Sequence, residues 1–282
     1  MYREKHIKRS EALQLIILDA IYAQSGSERI VFQGGTALRW IYGGMRFSED
    51  LDFVSHLSIQ DIENILSKAV KKIQIACIAQ FGSGQLERQK KRSRKQAAKY
   101  FFIYRSDAQR ERIAVRVEFE KLQTGHQPDY ETFILRDLPT VSSMVAGGSL
   151  IMPYSSSIIL AETPEEILSY KIRALYERKY LKGRDIYDIW WILSHLKVVP
   201  KWEIVMEKLM MYEISFTAVR EADFFLKDKS AQTITAAIQA DLPRFIPQNI
   251  LTKYQEDDFN EFMITLKKVT SDLLNQGMQD YF

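Results

Sequence analysis

The chain has 282 residues, 46% hydrophobic and 12% aromatic, which excludes wholesale disorder and sets the expectation of a real core in one large domain or two modest ones. Its net charge of +3 neither demands nor excludes a nucleic-acid partner. One cysteine, Cys77, rules out an internal disulfide, and no run approaches the roughly 20 apolar residues of a membrane span, so a cytoplasmic protein without a membrane partner is expected.

In chain order, Glu11–Ala23 reads as an amphipathic helix; Gln14 and Asp19 interrupt it too early for a signal peptide. Ile30–Gln33 and Leu51–Ser55 read as strands on either side of a short helix, Thr36–Tyr42. Ser58-Ile59-Gln60-Asp61 is a helix start, followed by Ile62, Leu66, Ala69 and Ile73 at helical spacing. Then comes a cationic run with no acid in it: Arg88, Lys90, Lys91, Arg92, Arg94, Lys95 and Lys99. Such a run suits a nucleic-acid backbone or a solvated surface.

Tyr100–Tyr104 and Ile113–Phe119 read as strands joined by a polar turn, and the second alternates cleanly between apolar and polar residues. The loop-rich stretch Gly125–Ser157, with three prolines and Gly147-Gly148, predicts a boundary between a domain at 1–157 and a helical one at 158–282. Thr163-Pro164-Glu165-Glu166 opens the first helix of that second part, with Thr at the cap and Pro in the first turn. Gly183 separates it from Arg184–Leu196, and Trp202–Tyr212, Ala231–Ala240 and Phe259–Leu274 also read as helices.

The most informative segment runs from Gly34-Gly35-Thr36 to Arg46-Phe47-Ser48-Glu49-Asp50-Leu51-Asp52-Phe53. Asp50 and Asp52 lie two apart on a strand and so share a face. Adjacent carboxylates repel unless a cation lies between them, and Mg2+ takes oxygen ligands of this kind. The glycine pair lets backbone amides approach an anion at a helix start. A phosphate cradle beside a metal-binding pair is what nucleotidyl transfer requires. Ser48 suits a phosphate oxygen or a turn, and Arg46 suits a triphosphate or an acid. Lys171, Ala174 and Arg178 share a helix face, which serves a ligand or solvent equally well. Arg184, Asp185 and Asp188 fall in the first turns of the next helix, where acids also suit the helix dipole.

These residues resemble the AbiEii/AbiGii-type nucleotidyltransferase toxins of the DNA polymerase beta-like superfamily. The resemblance rests on Gly34-Gly35-Thr36-Ala37-Leu38, on Arg46-x-Ser48-Glu49-Asp50-x-Asp52, and on a second signature: Lys171-x-x-Ala174-x-x-x-Arg178, then Arg184-Asp185-x-x-Asp188. The resemblance implies an α/β (α+β) fold, with a nucleotidyltransferase-type mixed sheet followed by a helical part that completes the active site. It implies nucleotide contacts from Gly34, Gly35, Thr36, Arg46, Ser48, Lys171 and Arg178, catalysis by Asp50, Asp52, Lys171 and Asp185, and a secondary role for Asp188. A third metal carboxylate belongs on a neighbouring strand, where Glu118 or Glu120 fits, Glu118 being favoured.

Further implications are Mg2+, an NTP substrate, an RNA acceptor such as tRNA, and a cognate antitoxin encoded nearby; within the cationic run, Arg88, Lys90, Lys91, Arg92, Arg94 and Lys95 are the candidates to hold such an RNA, if the run is not solvated surface. The alternatives are transfer to a protein hydroxyl or a small molecule, or NTP and RNA binding without chemistry.

Overall fold

The computed structural model describes residues 4–91, 97–108, 112–152 and 157–282. Seven strands form one mixed sheet: β1 (Ile30–Gln33), β2 (Asp50–Ser55), β3 (Gly84–Lys91), β4 (Ala97–Ser106), β5 (Arg112–Lys121), β6 (Tyr130–Ile134) and β7 (Ile158–Glu162). Their spatial order is β3-β4-β5-β2-β1-β7-β6. The β2–β5 and β1–β7 pairs are parallel and the other pairs antiparallel.

The register sorts the side chains. Leu51 and Phe53 of β2 lie beside Val117 and Phe119 of β5, and Tyr100 of β4 pairs with Val117. That apolar face is covered by α1 (Glu4–Tyr22) and α3 (Ile59–Phe81). Tyr22 meets Phe53 at 6.3 Å between ring centroids, and Phe81 meets Tyr104 at 5.7 Å. Ser58 caps α3 by accepting from the Asp61 amide at 3.2 Å. Asp50 and Asp52 lie on the other face, in register with Arg116 and Glu118.

The chain from residue 164 onwards is helical. It contains α5 (Pro164–Glu177), α6 (Gly183–Trp191), α7 (Trp202–Met210), α8 (Ala231–Asp241), α9 (Gln248–Glu256) and α10 (Asn260–Asn275). Two shorter helices, α2 (Gly34–Trp40) and α4 (Pro139–Ala146), connect strands. Thr163 caps α5 through the Glu166 amide at 3.4 Å.

Three features differ from the sequence reading. The stretch Gly125–Ser157 carries β6 and α4. Strand β7 lies beyond residue 157 yet pairs with both β1 and β6, so the sheet crosses the expected boundary, and one apolar core runs through both halves. The cationic run begins inside β3, a strand whose sequence Gly-Gln-Leu-Glu-Arg-Gln-Lys-Lys has almost no apolar alternation. It is an edge strand, where charged side chains keep the open backbone from pairing with another chain.

Candidate active site

Two strands and the loop before one of them build the acidic wall of a cleft of about 250 Å³. Gly34 and Gly35 begin α2 at the end of β1. Gly34 has φ +79°, and a Cβ there would sit 3.1 Å from Asp52 Oδ2. A Cβ on Gly35 would run into the Arg46 guanidinium and come within 3.3 Å of Ser48 Oγ. The pair is glycine because the strand-borne acid and the loop arginine both press against it. Thr36 is fully buried, and its hydroxyl donates to the Asp50 carbonyl, so it fixes the start of β2. Gly35, Arg46, Ser48, Asp50, Asp52 and Glu118 line the cleft; Gly34 and Thr36 support it from behind.

The five acids of this wall differ in their partners, and Glu49 lies 3.1 Å from Arg244. Asp50 pairs with Arg116. Glu118 lies 2.8 Å from Arg116 Nε and 2.6 Å from Lys99 Nζ. Glu120 accepts from Gln33 Nε2 at 3.2 Å, and burial raises its carboxyl above the ordinary range. The Asp52 carboxylate has no hydrogen bond or ion pair with any described residue. Burial first, then the charges of Asp50, Glu118 and Glu120, push it up to about 7.

Among the described residues, no group of three or more His, Cys, Asp and Glu is disposed to hold a metal ion. Arg116 occupies Asp50, and Arg116 and Lys99 together occupy Glu118. Asp50 and Asp52 nevertheless fit a hard divalent cation. Both offer carboxylate oxygens on one strand face, and Asp52 has no ion-pair partner among the described residues, the charge of Lys171 offsetting its burial only in part. Glu118, the favoured third ligand, is held by two cations instead.

The opposite wall comes from α5, α6 and their connection. Lys171 Nζ lies 2.9 Å from Asp185 and 2.9 Å from Asp188. Arg178, just past the end of α5, pairs with Asp185. Arg46 makes a two-pronged contact with Asp188, at 2.5 Å to each oxygen. Three cations and two acids thus form one network, and Lys171, Asp185, Asp188 and Arg46 are all at most 4% exposed. Asp185 is buried, which would raise it, yet Arg178 and Lys171 hold it well below the usual carboxylate range. Of the two roles open to Arg46 in the sequence, the structure gives the acid pair. The loop that carries it is anchored twice more: Gln14 Nε2 donates to the Ser48 carbonyl at 2.6 Å, and the Phe47 amide to the Phe245 carbonyl at 2.8 Å.

Sequence reasoning missed Arg116, Tyr170, Lys182 and Phe245, which also line the cleft, as do Lys99 of the cationic run and Arg184 of the second signature, to which it gave no place there. Alternation along β5 places Arg116 beside Glu118 and was readable in principle. Lys182 and Phe245 carry no such signal. Burial and the neighbouring cations Arg178 and Arg184 lower Lys182 to about 8.

The cationic run does not form one strip. Arg88 and Lys90 point to the helix-covered face, where both bind Glu63 of α3, at 3.1 and 2.8 Å. Lys91 pairs in register with Lys99 and so shares the face of the acids. Arg92, Arg94 and Lys95 lie outside the described residues.

No described helix is long and apolar enough to cross a membrane. The chain's fold is similar to that of a proposed nucleotidyltransferase from H. pylori, with TM-score 0.55 and 19% identity over 97% of this chain and 98% of that one. It is equally similar to JHP933 from Helicobacter pylori, with TM-score 0.55 and 19% identity over 100% and 98%. No curated protein matches significantly. The profile described as "Nucleotidyl transferase AbiEii toxin, Type IV TA system" matches residues 16–274, nearly the whole chain. The chain is therefore a nucleotidyltransferase belonging to the AbiEii toxin family of type IV toxin–antitoxin systems.

Proposed function

We propose that this chain moves a nucleotide from an NTP to an RNA hydroxyl, with tRNA as the acceptor and Mg2+ as the metal, and thereby stops translation in the cytoplasm until its antitoxin intervenes. The observation that carries the reading is the charge division of the cleft. An unpaired acid, Asp52, lies beside Asp50 on one wall, and Arg178, Lys182 and Arg184 line the other.

In this reading Asp50 and Asp52 hold the metal. When bound, it supplies positive charge that lowers the acceptor hydroxyl's pKa and stabilises the leaving oxygens. Arg178, Lys182 and Arg184 take the outer phosphates, and Ser48 takes a nearer one. Lys171 and Asp185 act chiefly by positioning Arg178. The acceptor oxygen bonds to the α-phosphorus, and the bond from that phosphorus to its bridging oxygen breaks. Pyrophosphate leaves with the electron pair, and the hydroxyl proton passes to the carboxylate cluster and on to water. A cation held by Asp50 and Asp52 would compete with Arg116 for the Asp50 carboxylate.

The test is incubation with each labelled NTP and separate pools of tRNA, protein and aminoglycosides, then sequencing of RNA 3′ ends. Label on tRNA ends that depends on Asp52 is the expected result. Label confined to protein or antibiotic would replace the acceptor assignment.

A further inference from the structure

A second pocket, of about 290 Å³, adjoins the cleft and shares Glu49, Asp50 and Arg116 with it. Its character differs. The cleft is almost wholly polar, whereas this pocket also presents Phe101 of β4, Ala114 of β5 and Phe47. Phe101 is half-buried and Ala114 exposed, both on the sheet face of the acids. Phe47 is buried against Ile7 and Phe245, so that wall is fixed by packing. Lys91 Nζ lies 5.5 Å from the centre of the Phe101 ring. The size is at the low end for organic ligands, which suits a single nucleoside.

An aromatic floor, a fixed apolar wall and cations at the rim are the elements that hold a base of single-stranded nucleic acid. Lys91, Lys99 and Arg112 lie on this face and offer charge to phosphates leading away from the pocket. The shared Asp50 decides the orientation. A nucleoside stacked on Phe101 places its ribose at the wall common to both pockets, beside the carboxylate that in our reading holds the metal.

We infer that the pocket lined by Phe101, Ala114, Phe47 and Arg116 is the subsite for the terminal nucleoside of a single-stranded RNA acceptor. The inference rests on the RNA-transfer reading above and adds where the acceptor binds.

The test uses a 5′-labelled single-stranded RNA hexamer and the full-length protein. Hexamer affinity, NTP affinity and label transfer are measured for the wild type, Ala114→Leu, which fills the pocket from an exposed position, and Phe101→Ala. Thermal melting checks folding of each variant. Hexamer affinity is expected to fall about tenfold in both, with NTP affinity changed by less than about twofold. Phe101→Tyr, which keeps a stacking ring, should bind the hexamer like the wild type. If Ala114→Leu binds and labels RNA like the wild type, the subsite is overturned while RNA transfer stands. If the wild type binds the hexamer, loses it in Ala114→Leu, yet labels no RNA, the subsite stands and the transfer reading fails. Transfer to a protein hydroxyl with no hexamer binding overturns both.

Discussion

The two walls of the cleft have nearly equal numbers of charges but opposite bookkeeping. On the helical wall every acid is matched: Asp185 has Lys171 and Arg178, and Asp188 has Lys171 and Arg46. On the strand wall Asp52 has no partner and is pushed up to about 7. Buried acids whose charges are matched need no cation from a ligand, and they hold in place the cations that face the cleft. A carboxylate left uncompensated is destabilising until a cation arrives, which marks it for function. The matched wall also joins distant sequence, since Arg46 and Asp188 are 142 residues apart. It clamps the strand-borne site to the helices that face it.

The comparison fails most visibly if the walls respond alike to neutralisation. Asp52→Asn is expected to lower transfer by roughly 10³-fold or more, the loss of an electrostatic element that acts on the transition state. The same variant should stabilise the metal-free protein at high pH. The sign follows from the raised carboxyl: its contribution is present at low pH and is lost as pH rises through about 7. Melting at pH 8 should therefore be higher for Asp52→Asn than for wild type, by on the order of 3 °C, with a smaller difference at pH 5 and almost none below about pH 4. Added Mg2+ should raise the melting temperature of the wild type only. Equal melting curves at pH 8 would remove the uncompensated charge from the account.

Asp188→Ala tests the other wall. It strands the Arg46 guanidinium in a site where Arg46 is 3% exposed. Breaking one member of such a pair costs about 3–5 kcal/mol, or roughly 10 °C in a chain of this size. Denaturant unfolding reads this directly. A variant as stable as the wild type would mean that the network is not what joins loop to helices.

A smaller effect concerns Lys182, which is lowered to about 8 by burial and then by Arg178 and Arg184. Its positive charge is present below that pH and lost above it. NTP affinity should therefore weaken by several-fold between about pH 7.5 and 9 in the wild type. Lys182→Arg, charged throughout, should flatten the profile. Isothermal titration across that range would show a flat wild-type curve if Lys182 does not meet the triphosphate.

Local pattern and long-range pairing were unequally legible in the sequence. The shared face of Asp50 and Asp52 and the caps at Ser58 and Thr163 follow from local rules, and the structure shows them. The alternation in β5 was readable too, and it put Glu118 on the polar face of its strand; that this strand lies beside β2, with Glu118 opposite Asp52, came from the resemblance and not from the pattern. What it could not show was that Arg116 and Lys99 would capture Glu118, because that depends on which strands are neighbours. The Arg46–Asp188 contact joins residues too far apart for any periodicity to relate them. The run from Arg88 was read as one cationic stretch because β3 lacks the apolar alternation that announces a strand, and an edge strand does not need it.

The two faces of β3 allow the finest test, since they separate two adjacent lysines. Lys90 and Lys91 have the same charge and nearly the same position in sequence. On a strand they must face opposite ways. Lys90 lies 2.8 Å from Glu63 on the helix-covered face, while Lys91 lies over Phe101 on the face of the acids. If RNA tracks the acid face, Lys91→Ser should remove one phosphate contact. Its log–log salt slope for RNA affinity should then drop by roughly 0.7, the value for one single-strand contact. Lys90→Ser should leave the slope unchanged and shift stability by less than about 1 kcal/mol, because its ion pair is half-exposed. A salt titration of RNA affinity for both variants decides the matter. Equal slopes for the two would mean that the acceptor does not distinguish the faces of β3, and the path along Lys91 would be lost.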